Sequence, residues 1–234
     1  MVSRAVLIAA GMLAMPALAD TGAGGWQGGL TVDRLELQKS ALDNTLSQYW
    51  HADGWIGDDK NRVLLKTEGA HAHGLVSSDL TQVLYGRSVT ESWFLELGAA
   101  HTGAPGPAQN WLALTAEGEL PLSIDSEWML FFGKNNLAWL RTQFETAVPV
   151  SGAWEFVPKL ELNFYTKNDP ANEIGSGFSN SELSLRLAYH LDRNVRGYVG
   201  YSRFQTYGNT ATRTRIGGNS TFDNLLMTGI MVTL

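Results

Sequence analysis

Alternation with a period of two runs through this chain, and it limits the possible folds more than any other feature. Leu160, Leu162 and Phe164 alternate with Lys159, Glu161, Asn163 and Tyr165. Leu183, Leu185, Leu187 and Tyr189 alternate with Glu182, Ser184, Arg186, Ala188 and His190. Leu112, Leu114, Ala116 and Gly118 alternate with Thr115, Glu117 and Glu119. Successive side chains of a strand point to opposite faces, so each segment has one apolar face and one polar face. Such segments recur at lengths of about ten residues, the length of a tilted transmembrane strand. Twelve are expected, over 29–38, 47–56, 61–70, 77–86, 93–102, 110–120, 123–133, 137–147, 154–165, 181–191, 196–207 and 222–233, with 10–12 as the range. Strands one, two, four and eleven alternate poorly, so their faces are not fixed by pattern alone.

The start of the chain says where the strands go. Met1-Val2-Ser3-Arg4 carries one positive charge, Ala5 to Met15 is uncharged and apolar, and Pro16 precedes Ala17-Leu18-Ala19. This three-part pattern is a secretory signal peptide, with cleavage expected before Asp20. Beyond it no apolar run approaches the about 20 residues of a spanning helix; the longest is Trp128 to Phe132. A chain that is exported and enters a membrane without helices must close its strands into a barrel, because lipid leaves no partner for an open edge. The expected organisation is a signal peptide over 1–19, a disordered lead-in over 20–28 and one barrel domain over 29–234.

The connections support this. Gly57 to Lys60, Pro121-Leu122 and Asp192 to Asn194 are short, whereas Lys39 to Leu46, Thr102 to Gln109, Thr166 to Ser179 and Gly208 to Thr221 are long. Long loops at one end and short turns at the other is the outer-membrane layout. Tyr49, Trp50, Trp93, Trp111, Trp139, Trp154 and Tyr198 cluster near strand ends, where aromatic girdles lie. The last strand runs to Leu234 and places Leu226, Ile230, Val232 and Leu234 on one face. The fold class is all-β, a transmembrane up-and-down antiparallel barrel.

Composition removes several functions. There is no cysteine, which excludes disulfides, thiolate metal sites and a thiol nucleophile. With 17 basic and 23 acidic residues, the formal charge is −6 and no basic stripe exists for nucleic acid. No GxSxG, HExxH or phosphate-binding loop occurs, so no enzyme is expected.

Inward positions on the better strands are Arg62, Lys66, Glu68, Glu117, Glu119, Asp125, Glu127, Arg141, Gln143, Glu145, Lys159, Glu161, Asn163, Glu182 and Arg186. Their mixed signs predict ion pairs across a packed polar interior. The metal-capable side chains are few. His51 shares a face with Asp53. Met227 and Met231 share the inward face of the last strand, about 13 Å apart, too far to chelate one ion together. His71-Ala72-His73, in an extended segment, points both imidazoles the same way. Imidazole suits Cu(II) and zinc, and thioether suits Cu(I).

Four segments carry a resemblance to a known family. Trp55 to Gly69 (WIGDDKNRVLLKTEG), His101 to Pro107 (HTGAPGP), Leu160 to Ser184 (LELNFYTKNDPANEIGSGFSNSELS) and Tyr198 to Ala211 follow, in order, motifs of the copper resistance protein B family. Thr102 stands where that family usually has Asp. The resemblance implies an outer-membrane barrel of a Gram-negative cell that takes part in copper resistance or homeostasis, with outer-membrane lipid, copper ion and a periplasmic copper-handling protein as partners. It points first to His101 as a metal residue, beside His51, His71, His73, Met227 and Met231 from the face assignment. Family members often carry a Met- and His-rich segment ahead of the barrel; between Asp20 and the first expected strand there is neither residue, so the metal role is expected to rest on the barrel. The rival readings are a narrow channel for other small solutes, an outer-membrane hydrolase, and an exported soluble sandwich.

Overall fold

The computed structural model describes residues 25–104 and 106–234. The expected signal peptide and most of the lead-in lie outside the described residues. The strands are β1 (Gln27–Ser40), β2 (Leu46–Gly57), β3 (Asn61–Ala72), β4 (Leu75–Thr90), β5 (Trp93–Thr102), β6 (Gln109–Leu120), β7 (Ile124–Phe132), β8 (Ala138–Glu145), β9 (Val148–Ser151), β10 (Trp154–Tyr165), β11 (Gly177–His190), β12 (Val195–Thr206) and β13 (Phe222–Thr233). Each long strand pairs antiparallel with its neighbours, β1 pairs with β13, and β10 pairs with both β8 and β11. The ring is a closed barrel of twelve strands, as the alternation predicts. Closure leaves no edge, so backbone donors and acceptors within the wall find partners in the wall.

β9 is the strand outside the ring. It covers the end of β10 beyond the reach of β8: Phe156 pairs with Val148, while Lys159 pairs with Glu145 at the end of β8. Its Pro149 is tolerated because β9 is a free edge. The β8–β10 connection is therefore longer than a short turn at the end where the other turns are short. At the opposite end, β3 and β4 join through His73-Gly74 alone. The remaining long connections gather at that opposite end. The longest carries helix α1 (Gly208–Ile216).

The outward face is apolar and exposed over a broad band that includes Leu65, Val83, Leu97, Leu114, Trp128, Leu187, Val199 and Leu226. An apolar surface this continuous belongs in lipid, not water. The inward face departs from a purely polar filling. Leu64, Leu80, Leu84, Ala100, Trp111, Ala113, Met129, Phe131, Leu137 and Trp139 form an apolar cluster along β3 to β8. This accounts for the poor alternation of β4: Leu80 and Leu84 point in, and Val83 and Tyr85 point out.

The same cluster corrects the reading of the aromatic residues. Trp111 and Trp139 are buried inside, where their indole N–H groups donate to Thr102 Oγ1 and Asn163 Oδ1. Tyr198 also points in, as does Tyr49, which lines the lumen. Trp50, Trp93 and Trp154 remain outward. An indole or phenol with an interior partner loses nothing by facing inward, so position along a strand does not tell a girdle residue from a core one.

Candidate functional site

At the long-loop end the lumen holds a cavity of about 620 Å³. Its walls carry Arg34, Glu36, Glu68, Arg141, Lys159, Glu161 and Arg186. Its rim includes Asp169, Asn172 and Ile174 from the β10–β11 loop and Thr210 and Thr214 from α1. The loop is held across the mouth. Gln109 at the start of β6 donates to Asp169 Oδ2 at 2.6 Å, and the Gly175 amide donates to Thr210 Oγ1 at 2.9 Å.

The floor of this cavity is an ion-paired layer. Arg141 bridges Glu68 and, at 2.7 Å, Glu161. Below it lies a pocket of about 10 Å³, which shares Glu68, Leu80 and Arg141 with the cavity above and adds His51, Lys66, Glu127 and Met129. That is room for about one water. Lys66 Nζ then meets Glu117 at 2.7 Å, Glu127 at 2.8 Å and Glu96 at 3.2 Å. Toward the short-turn end, the Arg62 guanidinium lies 4.5 Å from the Trp55 ring and 4.1 Å from the Phe94 ring.

Opposite this column, Arg186 donates to Glu36 Oε1 through Nε at 3.0 Å and Nη2 at 2.8 Å, and the Tyr198 hydroxyl donates to the same oxygen at 2.9 Å. Arg34 pairs with Glu145 at 3.1 Å. Arg196 and His190 both hold Glu155, at 2.6 and 3.1 Å. The expected ion pairs across the interior are present. Eight interior glutamates lie within 4.0 Å of an arginine or lysine.

Two interior carboxylates differ. Asp33 and Asp53 have only His51 as a charged partner among the described residues. His51 is 8 % exposed. Its Nδ1 lies 3.3 Å from Asp33 Oδ2, and its Nε2 lies 3.6 Å from Asp53 Oδ1. Neither contact has hydrogen-bond geometry: His51 Nδ1 and Asp53 Oδ1 are both buried without a hydrogen-bond partner. A buried polar atom left so costs about 1–3 kcal/mol. The three side chains can bring one donor atom each to within 4.8 Å of the others.

Asp33 reaches this place through a bulge. Val32 pairs with Ala52 and Arg34 with His51, leaving Asp33 as the extra residue. An extra residue on one strand re-aims its side chain, and both Asp33 and Arg34 meet their charged partners inside the barrel, His51 and Glu145. Sequence alternation missed Asp33, although a signal existed. The apolar residues of this strand fall at Leu30, Val32, Leu35 and Leu37, so one step of three interrupts steps of two.

The six metal residues named from the sequence fall in separate places. His51 is interior, between Asp33 and Asp53. Met227 and Met231 point inward and are buried; Met227 packs at Gly200, and Met231 lies in a cluster with Val157, Ala188 and Tyr198. His101 is exposed on the outward face of β5, with Nδ1 2.7 Å from Asn110 Oδ1. His71 ends β3, and His73 turns the chain with φ 52°. The extended geometry that aligns residues i and i+2 therefore stops at Ala72.

The closed barrel, with its apolar outer band and narrowed ion-paired lumen, defines the class: an outer-membrane β-barrel protein. Residues 27–233 match the family described as Copper resistance protein B precursor (CopB), and the chain belongs to that family. It is 35% identical over 183 residues to a Copper resistance protein B homolog of Pseudomonas syringae pv. tomato, covering 78% of this chain and 62% of that protein. It is 31% identical over 201 residues to Copper resistance protein B of Escherichia coli, covering 86% of this chain and 67% of that one. The chain thus spans about two thirds of the length of these relatives. Among solved structures it resembles the NanC porin, with TM-score 0.56 and 11% identity over 88% of this chain and 100% of that one. It also resembles the KdgM porin, with TM-score 0.50 and 11% identity over 88% and 99%. At this identity the likeness is one of fold.

Proposed function

We propose that this chain is exported, with its signal peptide removed before Asp20, and serves in the outer membrane as a non-enzymatic barrel that binds copper ions and passes them through its lumen, contributing to copper tolerance. The observation that carries this is the course of the lumen. A carboxylate-lined cavity narrows through the Arg141 layer onto a buried imidazole between two carboxylates. Carboxylates raise the local concentration of cations, and imidazole with carboxylate is a ligand set that transition metals take from water. Family membership supports copper as the cargo.

The test is deletion of the gene with complementation, scored by growth on copper and by cell copper content. Lower tolerance and altered cell copper, restored by the wild-type chain, are expected. Unchanged tolerance and unchanged copper would remove the function. Bilayer currents with ion selectivity that copper leaves untouched would instead favour a channel for other small solutes.

A further inference from the structure

We infer that Asp33, His51 and Asp53 form a binding site for oxidised copper, Cu(II), midway down the lumen. The inference rests on the copper reading above and deepens it by naming the ligands and the oxidation state. Three observations carry it.

The first is charge. Eight interior glutamates are matched to an arginine or lysine, and Glu182 accepts a hydrogen bond from Ser202 at 2.6 Å; Glu119 and Asp125, inward by alternation and without a basic partner, are exposed near the short-turn end. Asp33 and Asp53 are not matched to a lysine or arginine, although basic groups are near. Lys66 pairs across strands with Asp53, but its ammonium is held by Glu96, Glu117 and Glu127. Arg34 is adjacent to Asp33 in sequence, but it reaches Glu145. The neighbouring cations are tied elsewhere, which leaves two carboxylates facing one imidazole.

The second is geometry. Donors about 2.0 Å from one ion lie about 2.8 Å apart when adjacent and about 4 Å apart when opposite in a square-planar arrangement. The 3.3 Å contact to Asp33 is made by Nδ1 and the 3.6 Å contact to Asp53 by Nε2, and an ion takes only one of these nitrogens; one donor from each of the three side chains lies within 4.8 Å of the others, so side-chain rotation has to draw the farther aspartate in. An ion seated here takes one ring nitrogen and one oxygen from each aspartate. The ring nitrogen that the ion does not take carries the proton and faces an aspartate whose second oxygen can accept it, which fixes the tautomer. The orphaned atoms His51 Nδ1 and Asp53 Oδ1 show that hydrogen bonding alone does not satisfy the cluster.

The third is softness. One nitrogen and two carboxylate oxygens suit Cu(II); Cu(I) favours thioether and thiolate. Cysteine is absent from the chain. Met231 lies across the β1–β13 pairing from the Asp33–Arg34 bulge but packs with Val157, Ala188 and Tyr198, Met227 packs at Gly200, and Met129 borders the small pocket at His51 but belongs to the apolar cluster with Phe131 and Trp139, so the thioethers are taken up by apolar packing. The path to the site from the cavity runs past Arg141 and Glu68, which border both the cavity and the small pocket at His51.

The experiment is cupric chloride titration of the full chain, purified folded in detergent without a polyhistidine tag, followed by electron paramagnetic resonance. Folding is checked by gel mobility with and without boiling. The wild type is expected to bind one Cu(II) with coupling to a single imidazole nitrogen. His51→Gln removes that coupling, and the isosteric Asp33→Asn and Asp53→Asn each weaken binding at least tenfold. The double variant His71→Ala/His73→Ala leaves the spectrum unchanged. Wild-type spectra and affinity in His51→Gln, or in folded Asp33→Asn and Asp53→Asn, would overturn the site, as would loss of the signal in the His71/His73 variant; an imidazolium paired to two carboxylates is then the better description. The two readings fail separately. A site that binds Cu(II) in a protein whose deletion leaves tolerance unchanged sinks the function and keeps the site. Tolerance that depends on the gene, with no Cu(II) signal, does the reverse.

Discussion

At the scale of single residues, an inward position in this barrel is defined by its partner. Glu36 and Arg186 are among the most deeply buried side chains, and they hold each other with the Tyr198 hydroxyl added. Gly229 lets Tyr198 reach them: a Cβ there would lie 2.6 Å from the tyrosine oxygen. Removing one member of a buried pair leaves an uncompensated charge and costs about 3–5 kcal/mol, whereas removing both charges is far milder. Arg186→Ala is therefore expected to lower markedly the temperature at which the folded band converts to the unfolded one on a gel, and Arg186→Met with Glu36→Gln to recover much of that loss. Equal stability for wild type and Arg186→Ala would show that water reaches Glu36. This pair was half legible in the sequence. Arg186 fell on an inward face by alternation, but Glu36 lay on a strand whose period is broken at Asp33. The same break hid Asp33 itself, because a period-two pattern carries no information across an inserted residue.

At the scale of elements, the strands were legible and the interior was only partly so. All twelve expected segments lie on strands of the ring, and most of their bounds match to within two residues, since lipid outside and a lumen inside impose opposite chemistry on alternate positions. β9 escaped because four residues carry too little alternation to read. The apolar cluster escaped because β4 carries apolar residues on both faces, Leu80 and Leu84 inward and Val83 and Tyr85 outward, which erases the contrast. The β10–β11 loop was read as a long loop, but its fold across the mouth depends on partners far away in sequence, Gln109 and Thr210. Together with the Arg141 layer it narrows the lumen from two levels. Arg141→Ala removes the bridge between Glu68 and Glu161 and leaves two carboxylates facing the passage. In planar bilayers its conductance is expected to exceed the wild-type value, with reversal potentials shifted toward cation preference. Currents identical to wild type would place the restriction elsewhere, in the β10–β11 loop or in the Lys66 layer.

At the scale of the whole molecule, the two faces of the wall and the two ends of the barrel make separate claims. The outward band predicts that Leu97→Arg, in the exposed apolar belt of β5, costs about 2–4 kcal/mol when placed at mid-membrane. Refolding into lipid vesicles at a range of denaturant concentrations measures it. A neutral effect would mean that Leu97 does not face hydrocarbon. The ends claim an orientation. The β10–β11 loop and the α1 connection share one end, while the β2–β3 and β11–β12 turns share the other. Long loops face outward and short turns face the periplasm in outer-membrane barrels, so the cavity opens to the cell exterior and the Lys66 layer lies toward the periplasm. The chain has no cysteine, so a single introduced thiol reports its own position. Arg215→Cys, exposed in α1, is expected to react with a membrane-impermeant maleimide in intact cells. Asp59→Cys and Arg193→Cys, exposed in the short turns, are expected to react only after the outer membrane is permeabilised. The opposite pattern would invert the barrel and turn the cavity toward the periplasm, with the Lys66 layer toward the cell exterior.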